Sequence, residues 1–159
     1  MAQFFSWLQQ TSIGTGIRES LWLFPILYTL HIFGVVLLVG ATATLDLRML
    51  RAILRDQPVA AIADLLLPWA KAGFAVQVLT GVLLFVAQAE DLWHNPAFLL
   101  KMLGVLLAGL NVLIFHNTAF RNVREWRPDA PPAAARISAV VSLVFWFGIV
   151  AMSRLIAFV

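Results

Sequence analysis

Among its 159 residues the chain has no cysteine. Disulfides, thiolate metal sites and cysteine nucleophiles are thereby excluded. Charge is scarce too, at 12% of residues, with 8 acidic side chains against 11 lysines and arginines. The pI near 10.2 comes from a few loop arginines. There is no basic, aromatic-interleaved surface, which argues against a nucleic-acid partner. Also missing are a Walker loop, a zinc-protease motif, a serine elbow and a dinucleotide fingerprint. The N-terminal MAQFFSWLQQ lacks the basic n-region of a signal peptide, so the first apolar segment is expected to be retained. No internal repeat is present.

What fills the chain is hydrocarbon. At 62% hydrophobic residues and a mean hydropathy of +0.90, it falls with integral membrane proteins. A membrane helix needs about 20 apolar residues. The apolar runs predict spans at 20–46, 68–89, 97–120 and 137–157, giving an all-α, four-helix membrane bundle in one domain, 1–159. Pro68 and Pro96 suit the first turn of a helix, where a missing N–H is harmless. Pro25 falls inside the first span and is expected to kink it ahead of His31.

Arginine placement sets the expected topology. Arg48, Arg51 and Arg55 follow span one, and Arg121, Arg124, Arg127 and Arg136 lie between spans three and four. The opposite face, with Arg18, Glu19, Glu90 and Asp91, is nearly neutral. The positive-inside rule then puts both basic loops in the cytoplasm and both termini outside. Residues 2–10, with Phe4, Phe5, Trp7 and Leu8 among glutamines, read as a short interfacial helix or as an extension of span one. Residues 58–67 carry the same two readings.

At about 100° per residue each span shows a narrow polar or small stripe. His31 and Thr42 share one, with Tyr28 and Asp46 at its margins. Span two aligns Gly73, Gln77, Gly81 and Gln88, with Thr80 beside them. Span three aligns Gly109 and His116, and span four Ser138, Ser142 and Ser153. Small residues at this spacing serve close helix packing. Ionisable residues inside a membrane mark a functional site.

Three histidines, Lys101 and Arg154 therefore carry nearly all the chemistry. His31 lies about 15 Å below the outer mouth of span one, and Gly34 is expected to leave a gap beside its ring for a flat ligand. Neutral imidazole is the commonest protein metal ligand and the usual axial ligand of haem iron. A structural histidine bonded to a carbonyl or a neighbouring helix is the alternative. Lys101 and Arg154 sit at similar depth, where an anion such as a haem propionate would relieve their repulsion; snorkelling to the headgroups would also do so. His116 lies about 30 Å down span three, too deep to share one iron with His31 unless span one shifts. It is either the ligand of a second site, with Arg48 or Arg121 as anion partners, or a plain interfacial histidine. His94, next to Trp93, suits an aromatic belt. Met102 and Met152 admit a soft axial ligand or a Cu(I) relay, or serve as packing.

The segments LFPILYTLHIFGVVLLVGATATLDLRML, LLPWAKAGFAVQVLTGVLLFV and NPAFLLKMLGVLLAGLNVLIFH resemble a family of small bacterial four-helix inner-membrane proteins. The resemblance covers residues 18–159. More distantly, a span-one histidine with a lysine opening span three is similar to HemJ-type haem b proteins and to CopD-type copper-resistance membrane domains. His31 and Lys101 are the positions that carry over. The Trp-containing stretch of those families is absent here, where the sequence reads GVVLLVGATAT. Three functions follow as expectations. One is a b-type haem protein of the bacterial inner membrane, passing electrons between a periplasmic redox partner and quinone or a second haem. Another is copper handling. The third is a cofactor-free membrane anchor. Small lipid-facing residues such as Ala41 and Ala43 permit a homo-oligomer.

Overall fold

A computed structural model describes residues 2–158; the two end residues of the 1–159 domain reading lie outside it. Within that range the chain is all-helical. Helices α1 (Ala2–Gln9) and α2 (Ser12–Glu19) precede α3 (Leu23–Met49) and α4 (Val59–Ala87). The short α5 (Ala89–His94) leads into α6 (Pro96–Asn117), and a 3-10 segment (Ala119–Glu125) precedes α7 (Ala133–Leu155). The four long helices α3, α4, α6 and α7 are each long and apolar enough to cross a membrane, as the hydropathy predicts. The fold is that of a multi-pass membrane four-helix bundle.

Several boundaries differ from the sequence reading. Pro25 is the third residue of α3, so its missing N–H falls among the unpaired donors of the first turn and no kink is needed. Residues 59–67 continue directly into α4 rather than forming a separate interfacial helix, which leaves Pro68 inside the helix. The span-one end moves from 46 to 49, drawing Asp46 and Arg48 into the helix. Pro96 does open α6 at its first turn, and the Asn95 side chain accepts from the Phe98 amide at 3.1 Å. The Asn95 amide also donates to the Ile156 carbonyl at 3.0 Å, tying the start of α6 to the end of α7.

The four long helices form a row, α4–α3–α7–α6, in which neighbours pack. Because successive long helices run in opposite directions, the helices α1 and α2, the connection α5 and the end of α7 lie on one face. We call this the terminal face, and the opposite one, with loops 50–58 and 118–132, the basic face. The closest approach in the row is between α3 and α4. A Cβ on Gly73 would stand 2.6 Å from the Leu38 amide nitrogen and 2.9 Å from the Gly34 carbonyl. Small residues at this crossing let two backbones touch, which is how helices associate in lipid. Between α6 and α7 the contact is polar: Asn111 donates to the Ser138 carbonyl at 3.1 Å, and the Ser138 hydroxyl returns a bond to Asn111 Oδ1 at 3.2 Å.

At the terminal face, α1 is present as predicted. Phe5 stacks on Trp93 of α5 at 4.3 Å, and Gln9 accepts from the Glu90 amide at 2.8 Å, while Phe4 and Trp7 stay exposed. Helix α2, unread in the sequence, is capped by Thr11 and packs on α4 through Ile17. At the basic face a core of Leu45, Met49, Val59, Ala63, Phe115, Ala135 and Ala139 is sealed by Phe120, Val123 and Trp126. Arg48 is fully buried beneath it, donating to Gln57 O at 2.7 Å and to Pro128 O at 2.9 Å. The sequence reading offered Arg48 as an anion partner of His116; instead its guanidinium holds the two basic loops together.

The α3–α4 crossing gives a test. Gly73→Ala has backbone in its way and should destabilise the protein by about 1–3 kcal/mol through overpacking. Gly40→Ala and Gly109→Ala, which meet nothing within 4 Å, should be neutral or stabilise by up to about 1 kcal/mol through helix propensity. Thermal unfolding in detergent of the three variants checks this order.

Candidate functional site

His31 is half-buried on α3, and its environment comes from the crossing just described. Because Gly73 and Gly34 bring α3 against α4, Thr80, two turns beyond Gly73, reaches the imidazole. Its hydroxyl lies 2.8 Å from His31 Nδ1 and 2.6 Å from the Val76 carbonyl one turn back. A hydroxyl has a single proton. At 2.6 Å from a carbonyl that proton must lie between the two oxygens, since their lone pairs would otherwise repel. Thr80 therefore donates to Val76, and His31 Nδ1–H donates to Thr80. The other ring nitrogen, Nε2, is left with its lone pair, and it has no hydrogen-bond partner among the described residues. Donation from one nitrogen to fix the tautomer is what readies the other as a metal ligand.

Two further α4 residues complete this wall. Gln77 donates to the His31 carbonyl at 2.9 Å, so α4 holds both the ring and the backbone of residue 31. Gly81 faces the ring directly: a Cβ there would lie 3.3 Å from His31 Cε1. The expectation for Gly34 is corrected. Its Cβ would meet Val76, the Gly73 carbonyl and Gln77 at 3.1–3.3 Å, so the space it leaves is filled by α4. Gly81 is instead the glycine against which the imidazole packs, and the room left by its missing side chain is taken by the ring itself.

The opposite wall is α6. Among the described residues the backbones of α4 and α6 do not approach each other. Near the terminal face they are bridged by Phe85 and Phe98, stacked with centroids 5.6 Å apart and planes at 8°. Lys101, one turn after Phe98, shares that face of α6. Gly81, one turn before Phe85, shares the corresponding face of α4. Below the aromatic bridge there is thus a seam with His31 and Gly81 on one side and Lys101 on the other. Lys101 is half-buried and within electrostatic reach of His31. Its ammonium has no hydrogen bond or ion pair among the described residues, where the ion pairs are Arg124–Asp64 and Arg127–Asp129.

The remaining sequence candidates lie elsewhere. Arg154 is exposed near the end of α7, its guanidinium 5.0 Å above the Phe158 ring, and is not brought to His31. Met102, 40% exposed, points to the lipid side. His116 is far down α6, its Nδ1 donating to Val112 O at 3.0 Å and its ring against Phe120 at 4.7 Å. From the first residue of each helix His31 lies about 12 Å deep, Lys101 about 8 Å and His116 about 30 Å. The two histidines therefore belong to different levels and cannot share one metal. His94, exposed, is bonded to Glu90 O at 3.0 Å. Lys71, a second lysine within a span, is exposed on α4 and can snorkel. Among the described residues no group of three histidines, aspartates or glutamates gathers as a metal cluster. Open hollows of about 340 and 370 Å3 lie at the terminal face around Gln88 and Asn95 and at the basic face around Leu50 and Arg136, away from His31.

The tautomer argument predicts a spectroscopic result. Nitrogen NMR of the histidine-labelled protein should show a neutral Nδ1–H tautomer for His31, converted to a tautomer mixture in Thr80→Val. A charged or purely Nε2–H imidazole in the unsubstituted protein would contradict the assignment.

No curated protein and no solved structure matches the chain. A family profile does, over residues 4–159, nearly its whole length. With its four long apolar helices and its one imidazole held by the second of them, the chain belongs to DUF6644, a family of unknown function.

Proposed function

We propose that the seam between α4 and α6 binds haem b, with His31 Nε2 as an axial ligand to iron, and that the protein is an electron carrier of the bacterial inner membrane. The observation that carries this reading is the orphaned lone pair on His31 Nε2, left over once Nδ1–H is committed to Thr80. Lys101 supports it, as a half-buried cation without a carboxylate that a propionate would neutralise. Haem b, when bound, supplies a one-electron couple whose potential depends on the axial ligand and the dryness of the site. Thr80 and Gln77 hold the imidazole in orientation, while Phe85 and Phe98 shield the site from water at the terminal face.

In this reading both termini face the periplasm, following the arginine bias of the basic face. Electrons would pass between a periplasmic redox partner and quinone in the bilayer. His116, whose Nδ1–H is likewise committed to a carbonyl, is the candidate ligand of a second haem at the basic-face level. A copper-handling role is less well supported, because Met102 is exposed and, among the described residues, no group of three histidines, aspartates or glutamates gathers.

A reduced-minus-oxidised visible spectrum of the protein purified in mild detergent is the test. A sharp b-type band, lost in His31→Ala, is expected. Thr80→Val should weaken haem retention by about 10–100-fold, the usual effect of removing a ligand's hydrogen-bond partner. A haem-to-protein ratio near two, halved by His116→Ala, would establish the second site. A colourless protein with bound copper would replace this reading with the metal-handling one. A colourless, metal-free protein would leave a membrane anchor.

A further inference from the structure

The second buried polar site lies at the other end of the bundle and involves none of the residues above. Asp46 on α3 is 5% exposed, and its Oδ2 is sequestered with no hydrogen-bond partner among the described residues. Beside it is the Ser142 side chain of α7, itself 6% exposed. One turn further along the same face of α7, the Trp146 indole Nε1–H is also sequestered and unpartnered. A lone acceptor and a lone donor thus stand within a turn of each other on facing helices.

The surrounding charges do not compensate a carboxylate here. Arg48, two residues on, directs Nε and Nη2 to the loop carbonyls of Gln57 and Pro128, its buried Nη1 is unpartnered, and it forms no ion pair with Asp46 among the described residues. On α4, Asp64 is exposed and paired with Arg124 of the 3-10 segment, and Lys71 is exposed. On α6, His116 is bonded to Val112. On α7, Arg136 is exposed. An ionised carboxylate buried without a cation and with an unmatched oxygen is strongly disfavoured, and such a group neutralises by taking a proton. Ser142 can pair with either form, since a hydroxyl both donates and accepts.

We infer that Asp46 is a proton-binding site of this protein, with the buried Ser142 hydroxyl beside it, exchanging its proton with solution at the basic face. The step is a protonation alone: one proton from that solution joins the carboxylate oxygen and cancels its charge, and the reverse step returns it. Neither haem nor His31 is required, so the site stands or falls separately from the proposed function.

Infrared spectroscopy of the protein in lipid, at neutral pH, tests it. A carboxylic-acid C=O band should be present, vanish in Asp46→Asn, persist at a shifted frequency in Asp46→Glu, and move in Ser142→Ala. Transfer to deuterated buffer should shift the native band. Asp46→Asn, a neutral isostere of the protonated acid, should fold as well as the native chain. Labelling with the lipid-soluble reagent dicyclohexylcarbodiimide, which attacks protonated carboxyls, should give an adduct on the Asp46 peptide that Asp46→Asn abolishes. If no acid band is lost in Asp46→Asn, the carboxyl is ionised and the inference fails. If the band is present but unmoved by deuterium, the acid is sealed and structural, and exchange with solution is ruled out.

Discussion

The contact that organises this protein is the backbone touch between α3 and α4 at Gly34 and Gly73. In lipid there is no hydrophobic drive to press two helices together, so packing and interhelical hydrogen bonds must do it. Removing two side chains at one crossing lets the helices come close enough for both. From that point outward, α4 can place Gln77 on the His31 carbonyl and Thr80 on its ring. A bulkier residue at 73 would separate the helices, and the imidazole would lose its partner. The chemistry of the site follows from the absence of side chains a few residues away.

The two halves of the bundle solve the same problem differently. Every polar group in a bilayer must find its partner inside the protein. Toward the terminal face the chain spends its polar groups on one ring, and leaves a lysine and a nitrogen lone pair unmatched across a seam. Toward the basic face, loops fold over the helix ends and bury a guanidinium and a carboxyl that do not pair with each other. Also toward the basic face, Asn111 and Ser138 satisfy one another and join α6 to α7. The unmatched groups are therefore localised at two levels, about 22 Å apart along α3, rather than scattered through the membrane-spanning region.

Much of this was legible in the sequence. Four spans, their order and the N-terminal amphipathic helix follow from hydropathy, and His31 and Lys101 stand out as ionisable groups within apolar runs. Glycine roles were not legible, since a periodic stripe cannot say which glycine touches backbone, as Gly34 and Gly73 do, and which packs against a ring, as Gly81 does. Asp46 reads as a boundary charge because it ends an apolar run, and it becomes interior because α3 continues to Met49 and packs on α7. Helix α2 was missed because SIGTGIRE has two glycines and weak intrinsic helicity. It forms by docking on α4, where Gly14 fits beside the Val86 carbonyl. Pro25 was misjudged by the two residues that separate an opening turn from an interior one.

The row of helices closes at its ends but not along its flank, and that flank is turned toward the acyl chains. Any occupant of the seam is in competition with lipid tails rather than with water. In the proposed reading its occupancy would be governed by how it partitions into the bilayer, and a greasy, flat molecule with one ionic edge would arrive already concentrated and already oriented. Loading and release would then proceed sideways, without unfolding the bundle or opening a path to either aqueous compartment.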